Sequence, residues 1–217
     1  MLSKAIENYL KAIFSIKAQG TDVVSTNAIS DKLSTRPSSV TDMIKKLTEK
    51  KLVTYERYKG VKLTNKGQVI ATNIIRKHRL WETFLVEKLH FKWDEVHDVA
   101  EQLEHIKSEK LVDLLDDYLD NPKFDPHGDP IPNREGDFPL LKTLPLTSLS
   151  INQQGLVMGV LQDEPSFLKY LTKLNISLGS SIQVIDKIEF DQSIEINIDN
   201  KNIHISVDVA KNILIKA

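Results

Sequence analysis

Cysteine is absent from the 217-residue chain, which excludes a disulfide framework, a thiolate zinc site and an iron–sulfur cluster. Any metal must therefore be held by imidazole, carboxylate, amide or thioether groups. No apolar run approaches the ~18 residues of a membrane span, and the opening Met1-Leu2-Ser3-Lys4 lacks a signal-peptide core. The expectation is a cytoplasmic protein with no membrane partner. A His-Glu-x-x-His pattern, a nucleophile elbow and a glycine-rich phosphate loop are missing as well, so no enzyme is expected. A metallohydrolase would lack the residues that complete a catalytic water site.

An excess of one charge is also missing from the totals, 29 Lys+Arg against 30 Asp+Glu. The balance is a cancellation. Residues 1–75 carry 13 basic and 6 acidic groups, a net of +7; residues 76–142 carry 10 and 16, a net of −6; residues 143–217 carry 6 and 8, a net of −2. A basic first third followed by an acidic middle is the asymmetry of a chain that meets a polyanion with one part and gathers carboxylates in another.

The first third reads as helix, helix, helix, hairpin. Ile6, Tyr9, Leu10, Ile13, Phe14 and Ile16 fall mostly at helical spacing, and Gly20 closes the run. Thr26 is placed to cap a short helix carrying Ile29 and Leu33. After Thr35-Arg36-Pro37, a second helix carries Val40, Ile44 and Leu47, with Pro37 in its first turn, where its missing N–H costs nothing. Leu52-Val53-Thr54-Tyr55 and Val61-Lys62-Leu63-Thr64 flank Tyr58-Lys59-Gly60 as a hairpin. Together these make a winged helix-turn-helix.

Its second helix opens with Arg36, Pro37, Ser38, Ser39, Thr41 and Asp42 and continues to Lys45 and Lys46. Short hydroxyl side chains at a helix N-terminus can bond phosphate oxygens or base edges, and the terminus itself favours a phosphate. Lys45, Lys46, Lys50 and Lys51 add counterion-releasing charge, and Arg57 and Lys59 lie on the wing. In isolation such a string is an ordinary capped helix with a solvated basic face. Within a +7 winged helix it predicts binding to double-stranded DNA.

The acidic middle is expected to hold three helices: Asn65 to about Leu89, about Trp93 to Ser108, and about Glu109 to Leu119. His97, Glu101, Glu104 and His105 stand at offsets of four, seven and eight, along one stripe of the second helix. His78 and Glu82, four apart, do the same on the first. Two such stripes can enclose a divalent cation; the competing interpretation is a solvated polar face. From Asn121 to Leu146 the composition turns to Pro, Gly and Asp, which reads as a partly ordered linker. Beyond it, alternating runs such as Ser181–Ile185, Ile194–Ile198 and His204–Val207 indicate a small β-barrel interrupted by one helix at about Ser166–Leu174.

These residues together resemble the diphtheria-toxin-repressor and manganese-transport-regulator family of metal-dependent repressors. The motifs that carry the resemblance are Arg76-Lys77-His78-Arg79-Leu80, Val96-His97-Asp98-x-x-Glu101-x-x-Glu104-His105, and Asp125-Pro126-His127-Gly128-x-Pro130-Ile131-Pro132, in order behind a winged helix. The resemblance covers the whole chain. It implies an α+β multidomain protein: a winged helix-turn-helix over 1–64, an all-α dimerisation and metal-binding domain over 65–142 with its Pro/Gly stretch from about 121, and an SH3-like (FeoA-like) barrel over 143–217.

It also implies a primary metal site of Asn8, His78, Glu101, Glu104 and His105. Iron-responsive members place Cys at the position of Glu101, manganese-responsive members a carboxylate; Asn8 stands where they have Met or Asp. Lys11 stands where some two-domain manganese regulators have a ligating Glu, and a protonated Lys does not ligate. A second site would gather Glu82, Asp125, His127 and Asp163, with His97 either a ligand or a donor that holds one. For Asp125 and His127 the plain alternative is a Pro-Gly turn capped by Asp. His90 and His204 match no motif. The implied function is a homodimeric repressor that binds palindromic operator DNA with Mn2+ as corepressor and Fe2+ as the nearest rival. A metal-independent winged-helix regulator is the alternative.

Overall fold

The computed structural model describes residues 2–18, 20, 23–56 and 59–216. Its elements fall into two compact units: Met1–His78 with Glu101–Asp113 and Pro132–Asp137, and Arg79–Ala100 with Leu114–Ile131 and Phe138–Ala217.

The first unit begins with α1 (Lys4–Ala18), α2 (Thr26–Lys32) and α3 (Pro37–Glu49), followed by β1 (Val53–Glu56) and β2 (Gly60–Leu63). Ile6, Leu10 and Ile13 from α1 and Val40, Ile44 and Leu47 from α3 share one buried cluster with Ile29, Leu52, Val53 and Val61. These spacings of three and four place each apolar set on one helical face. The cap of α2 is Ser25, whose hydroxyl accepts the Ala28 N–H at 3.1 Å, and not Thr26, which is the first helical residue. Pro37 opens α3 as expected. Strands β1 and β2 pair antiparallel in the register Val53↔Leu63, and Val24 adds a bridge to Val61. Arg57, expected on the wing, lies outside the described residues.

Helix α4 (Asn65–Leu89) starts where Thr64 Oγ1 accepts the Gly67 N–H at 3.1 Å. Gly67 is required there, because a Cβ would collide with the Leu52 carbonyl oxygen. The next helix is much shorter than the Trp93–Ser108 span expected: α5 covers His97–Leu103 only. Ser108 Oγ accepts the Leu111 N–H at 3.2 Å at the start of α6 (Glu109–Tyr118), so capping the following helix competes with extending α5. Glu104 and His105 consequently sit in a turn after α5, and not on its stripe. Lys77 Nζ holds that turn by donating to the Ile106 carbonyl at 3.0 Å.

In the second unit the part of the Pro/Gly stretch from Lys123 to Ile131 is a hydrogen-bonded turn, more ordered than a linker requires. Phe124 bridges Pro130, the Ile131 N–H returns to the Lys123 carbonyl at 2.8 Å, and Asp125, His127 and Ile131 are buried. The remainder is a six-stranded antiparallel sheet of β3 (Leu144–Pro145), β4 (Gln154–Val160), β5 (Ser181–Lys187), β6 (Ile194–Ile198), β7 (Lys201–Ile205) and β8 (Ile213–Lys216), in the order β3-β8-β4-β5-β6-β7. Ile194, Ile196 and Ile198 point alternately into its core. Asp199 and Asn200, both at positive φ, make the two-residue turn between β6 and β7. The helix expected near Ser166 is α7 (Pro165–Lys173); a further one, α8 (Val207–Asn212), follows Ser206, whose hydroxyl accepts the Val209 N–H. The run His204–Val207 is therefore the end of a strand and a helix cap.

Candidate functional site

On α3 the buried face leaves Arg36, Pro37, Ser38, Ser39, Thr41, Asp42, Lys45 and Lys46 exposed, and Lys59 is exposed on the wing. Thr41 Oγ1 donates back to the Pro37 carbonyl at 3.0 Å. Lys45 pairs with Asp42 at 3.4 Å and Lys59 with Glu56 at 2.6 Å, all solvent-exposed. Exposed pairs of this kind are worth little in water, so neither pair holds its ammonium group tightly.

Within the first unit, α1, α4 and the turn after α5 bring charged groups together around one point. Glu104 is 1% exposed; its Oε2 lies 2.7 Å from His78 Nδ1 and 2.6 Å from Lys11 Nζ. Lys11 Nζ is also 3.1 Å from His78 Nδ1 and 3.8 Å from Glu101 Oε1. Burial pushes the Glu104 carboxyl up, but the His78 hydrogen bond and the Lys11 charge outweigh it and hold the group below the usual carboxylate range. An ionised Glu104 accepts only, so His78 Nδ1 is the donor between them.

His105 Nε2 is 3.8 Å from Glu104 Oε1. Its other nitrogen, Nδ1, is 2.7 Å from Glu7 Oε2. A carboxylate on one ring nitrogen fixes the tautomer and leaves the other as a lone-pair donor. Asn8 follows Glu7 on α1, and its Oδ1 is buried without a hydrogen-bond partner. An unsatisfied amide oxygen, two carboxylates and two imidazoles suit a hard or borderline divalent cation. Of the expected primary set, the structure brings His78, Glu101 and Glu104 around Lys11 and His105 beside Glu104, with Asn8 about one helical turn before Lys11.

The second unit holds the other cluster. Donor atoms of Glu82, Asp125 and His127, all buried, lie within 4.8 Å of one another. His127 Nε2 is 2.8 Å from the Trp93 carbonyl oxygen, to which it donates, and the two rings stack at 6.2 Å. Nδ1 thereby faces Glu82 Oε2 at 3.7 Å. Burial pushes the His127 imidazole down, yet Glu82 and Asp125 outweigh it and raise its pKa to about 9. His97 Nδ1 stands 3.5 Å from Glu82 and 3.8 Å from Asp163, which joins the exposed end of the cluster.

Asp125 does what a Pro-Gly turn asks of it: Oδ1 accepts the N–H groups of His127 at 2.8 Å and Asp129 at 3.0 Å. Its Oδ2 lies 3.6 Å from Arg79 Nε, and Arg79 also reaches Asp129 and the Pro130 carbonyl. Burial, with Glu82 and Asp129 nearby, pushes the Asp125 carboxyl up to about 7. Gly128 takes φ +86, and a Cβ there would run into the Met158 carbonyl of β4. Spacing missed Glu7, Trp93 and the clamp by Arg79, because each acts through a ligand candidate and none sits in a metal-binding pattern. For the first, the available signal was that Glu7 stands beside Asn8 and one helical turn before Lys11 on α1.

A winged helix-turn-helix, helices that gather carboxylates and imidazoles, and a small antiparallel sheet define a three-part DNA-binding regulator. Residues 1–61 match iron-dependent-repressor N-terminal DNA-binding domains, 64–133 match the metal-binding and dimerisation domain of the same repressors, and 144–217 match FeoA domains. The solved structure of a manganese-dependent transcriptional repressor in complex with manganese is 35% identical, with a TM-score of 0.86 over 97% of this chain and 98% of that one. The HTH-type regulator MntR of Oceanobacillus iheyensis is 34% identical over 55% of this chain and 80% of its own length. The iron-dependent repressor IdeR of Mycobacterium tuberculosis is 32% identical over 58% of this chain, and the match spans about half of that relative, 54%. The chain belongs to the iron-dependent-repressor family of metal-dependent transcriptional repressors.

Proposed function

We propose that this chain is a cytoplasmic, homodimeric repressor that binds palindromic double-stranded operator DNA and takes Mn2+ as its corepressor, controlling genes of metal-ion homeostasis. The observation that carries the metal is the donor set: the carboxylates of Glu104 and Glu101 and the imidazole of His78 surround one ammonium group, the amide oxygen of Asn8 on the same helix is buried without a partner, and no thiol exists in the chain. Such donors suit Mn2+ better than softer ions. Asn8, His78, Glu101, Glu104 and His105 would hold one ion; Glu82, Asp125, His127 and Asp163 would hold a second, with His97 as ligand or as donor to one.

When bound, the ion supplies a divalent charge that ties donors of α1 to those of α4 and of the turn after α5. The chain's own part is to present them. Glu7 turns His105, Lys77 pins the turn, and α3 with the wing presents the exposed hydroxyls and lysines to DNA. In this reading, 1–64 reads DNA, 65–142 dimerises and senses metal, and 143–217 contributes Asp163. Leu111, Leu114 and Tyr118 form an exposed apolar stripe along α6, which supports a dimer. The coupling between metal and DNA is expected on the order of 1–3 kcal/mol per site, and operator DNA tightens metal binding in return.

The test is anaerobic titration with Mn2+, Fe2+, Zn2+ and Ca2+ while following binding to a family-type palindrome. Mn2+ is expected to tighten DNA binding most. Strongest activation by Fe2+ reassigns the corepressor to iron, the metal in the mycobacterial relative's name. DNA affinity unchanged by every metal removes the mechanism.

A further inference from the structure

Lys11 occupies a position in which a structural role alone is an incomplete account. Its side chain leaves α1 with only 17% exposure, and its Nζ meets Glu104 at 2.6 Å, His78 at 3.1 Å and Glu101 at 3.8 Å. Three of the five residues of the primary site thus surround one ammonium group. Two cations cannot share that point: at these few ångströms in a part-buried site like charges repel strongly, and a divalent ion doubles the repulsion. Nor can Lys ligate, because a protonated amine has no lone pair.

We propose that Lys11 is an affinity-setting residue, an internal cation that competes with the metal for the carboxylates of Glu104 and Glu101 and is expelled to solvent when the metal enters. The proposal rests on the primary-site reading given above. Its physical content is a population tax: if the ammonium occupies the donors nearly all the time, the apparent metal affinity falls by the fraction of time they are available. The same contact keeps the buried Glu104 carboxylate paired without the ion, where an unpartnered buried charge would be costly. Lys11 thereby raises the metal concentration at which the protein responds while leaving the donor geometry assembled.

Two measurements on the full-length protein test this, with Mn2+ alone as the probe. In the first, lysine amines of the wild-type protein are methylated or acetylated briefly, with chelator or with saturating Mn2+, and Lys11 modification is quantified by peptide mass spectrometry. Modification of Lys11 is expected to rise at least about fivefold with Mn2+ while Lys77 and surface lysines stay level. In the second, free Mn2+ is followed by its electron paramagnetic resonance signal. Lys11→Leu is expected to bind the primary ion at least about tenfold more tightly, and Lys11→Arg, which keeps the charge, to stay near wild type. Lys11 modification indifferent to Mn2+, or a Lys11→Leu affinity equal to or weaker than wild type, overturns the competition. Glu104→Ala separates the two levels: loss of one bound Mn2+ in that variant upholds the site whatever Lys11 does, whereas undiminished stoichiometry overturns the site and the proposal with it.

Discussion

Glu7 Oε2 accepts a 2.7 Å hydrogen bond from His105 Nδ1, so a residue on α1 dictates which nitrogen of a ring in the turn after α5 is available to a metal. Removing such an outer partner typically costs 10–100-fold in metal affinity. Glu7→Ala is therefore expected to weaken the primary ion about 10-fold or more without changing the number of ions bound at saturation. Isothermal titration with Mn2+ measures it; wild-type affinity in the variant would show that the Glu7 contact orients nothing that binds.

The turn that carries His127 depends on Gly128, whose left-handed φ and closeness to β4 leave no room for a side chain. Gly128→Ala is expected to destabilise the second unit by at least about 2 kcal/mol, from backbone strain plus the collision with the Met158 carbonyl. The transition is followed by fluorescence of Trp93, which stacks on His127. An unshifted urea midpoint would refute the close approach.

Stability in the presence of chelator should fall as pH rises. His127 titrates at about 9 in the fold against 6.5 for an unperturbed imidazole; its contribution is complete below about pH 6.5 and is lost as pH climbs through about 9. Asp125, raised from 3.8 to about 7, works in the same direction over its own lower window. The loss between pH 6.5 and 9.5 is expected on the order of 1–3 kcal/mol, and Glu82→Gln should flatten it. Urea unfolding at half-unit pH steps decides, and a curve that rises over this interval contradicts the pairing.

On DNA, Lys46 is exposed on α3 beside the proposed reading edge. If it meets a phosphate, Lys46→Ala should weaken binding about equally on operator and random duplex and lower the salt slope of log K by about 1. Ser39→Ala, by contrast, should lower operator binding more than random binding if its hydroxyl reaches a base edge. Fluorescence anisotropy across a salt series distinguishes them; an unchanged slope for Lys46→Ala places its charge away from the DNA.

The helix spacing, the Pro37 start, the wing and the charge division between +7 and −6 were all legible along the chain, because each depends on residues near one another in sequence. What misled was local as well. Glu104 and His105 fit a continuous helical stripe, yet Ser108 caps the next helix and ends α5 at Leu103. The six prolines between 121 and 146 suggested a partly ordered linker, but around His127 Asp125 caps the turn locally, and Arg79 and the Trp93 carbonyl hold it from residues far off in the chain.

The missing cysteine and the order of the motifs determined the chemical vocabulary of this protein without any coordinates: oxygen and imidazole donors behind a basic winged helix. Only the tertiary structure decided how the vocabulary is used. That Lys11 points its ammonium between Glu104, His78 and Glu101, and that Glu7 orients His105, follows from packing α1 near α4 and the α5 turn over separations of 67 to 98 residues. Periodicity reports which face a side chain takes on its own helix; which charges then meet across helices depends on the fold.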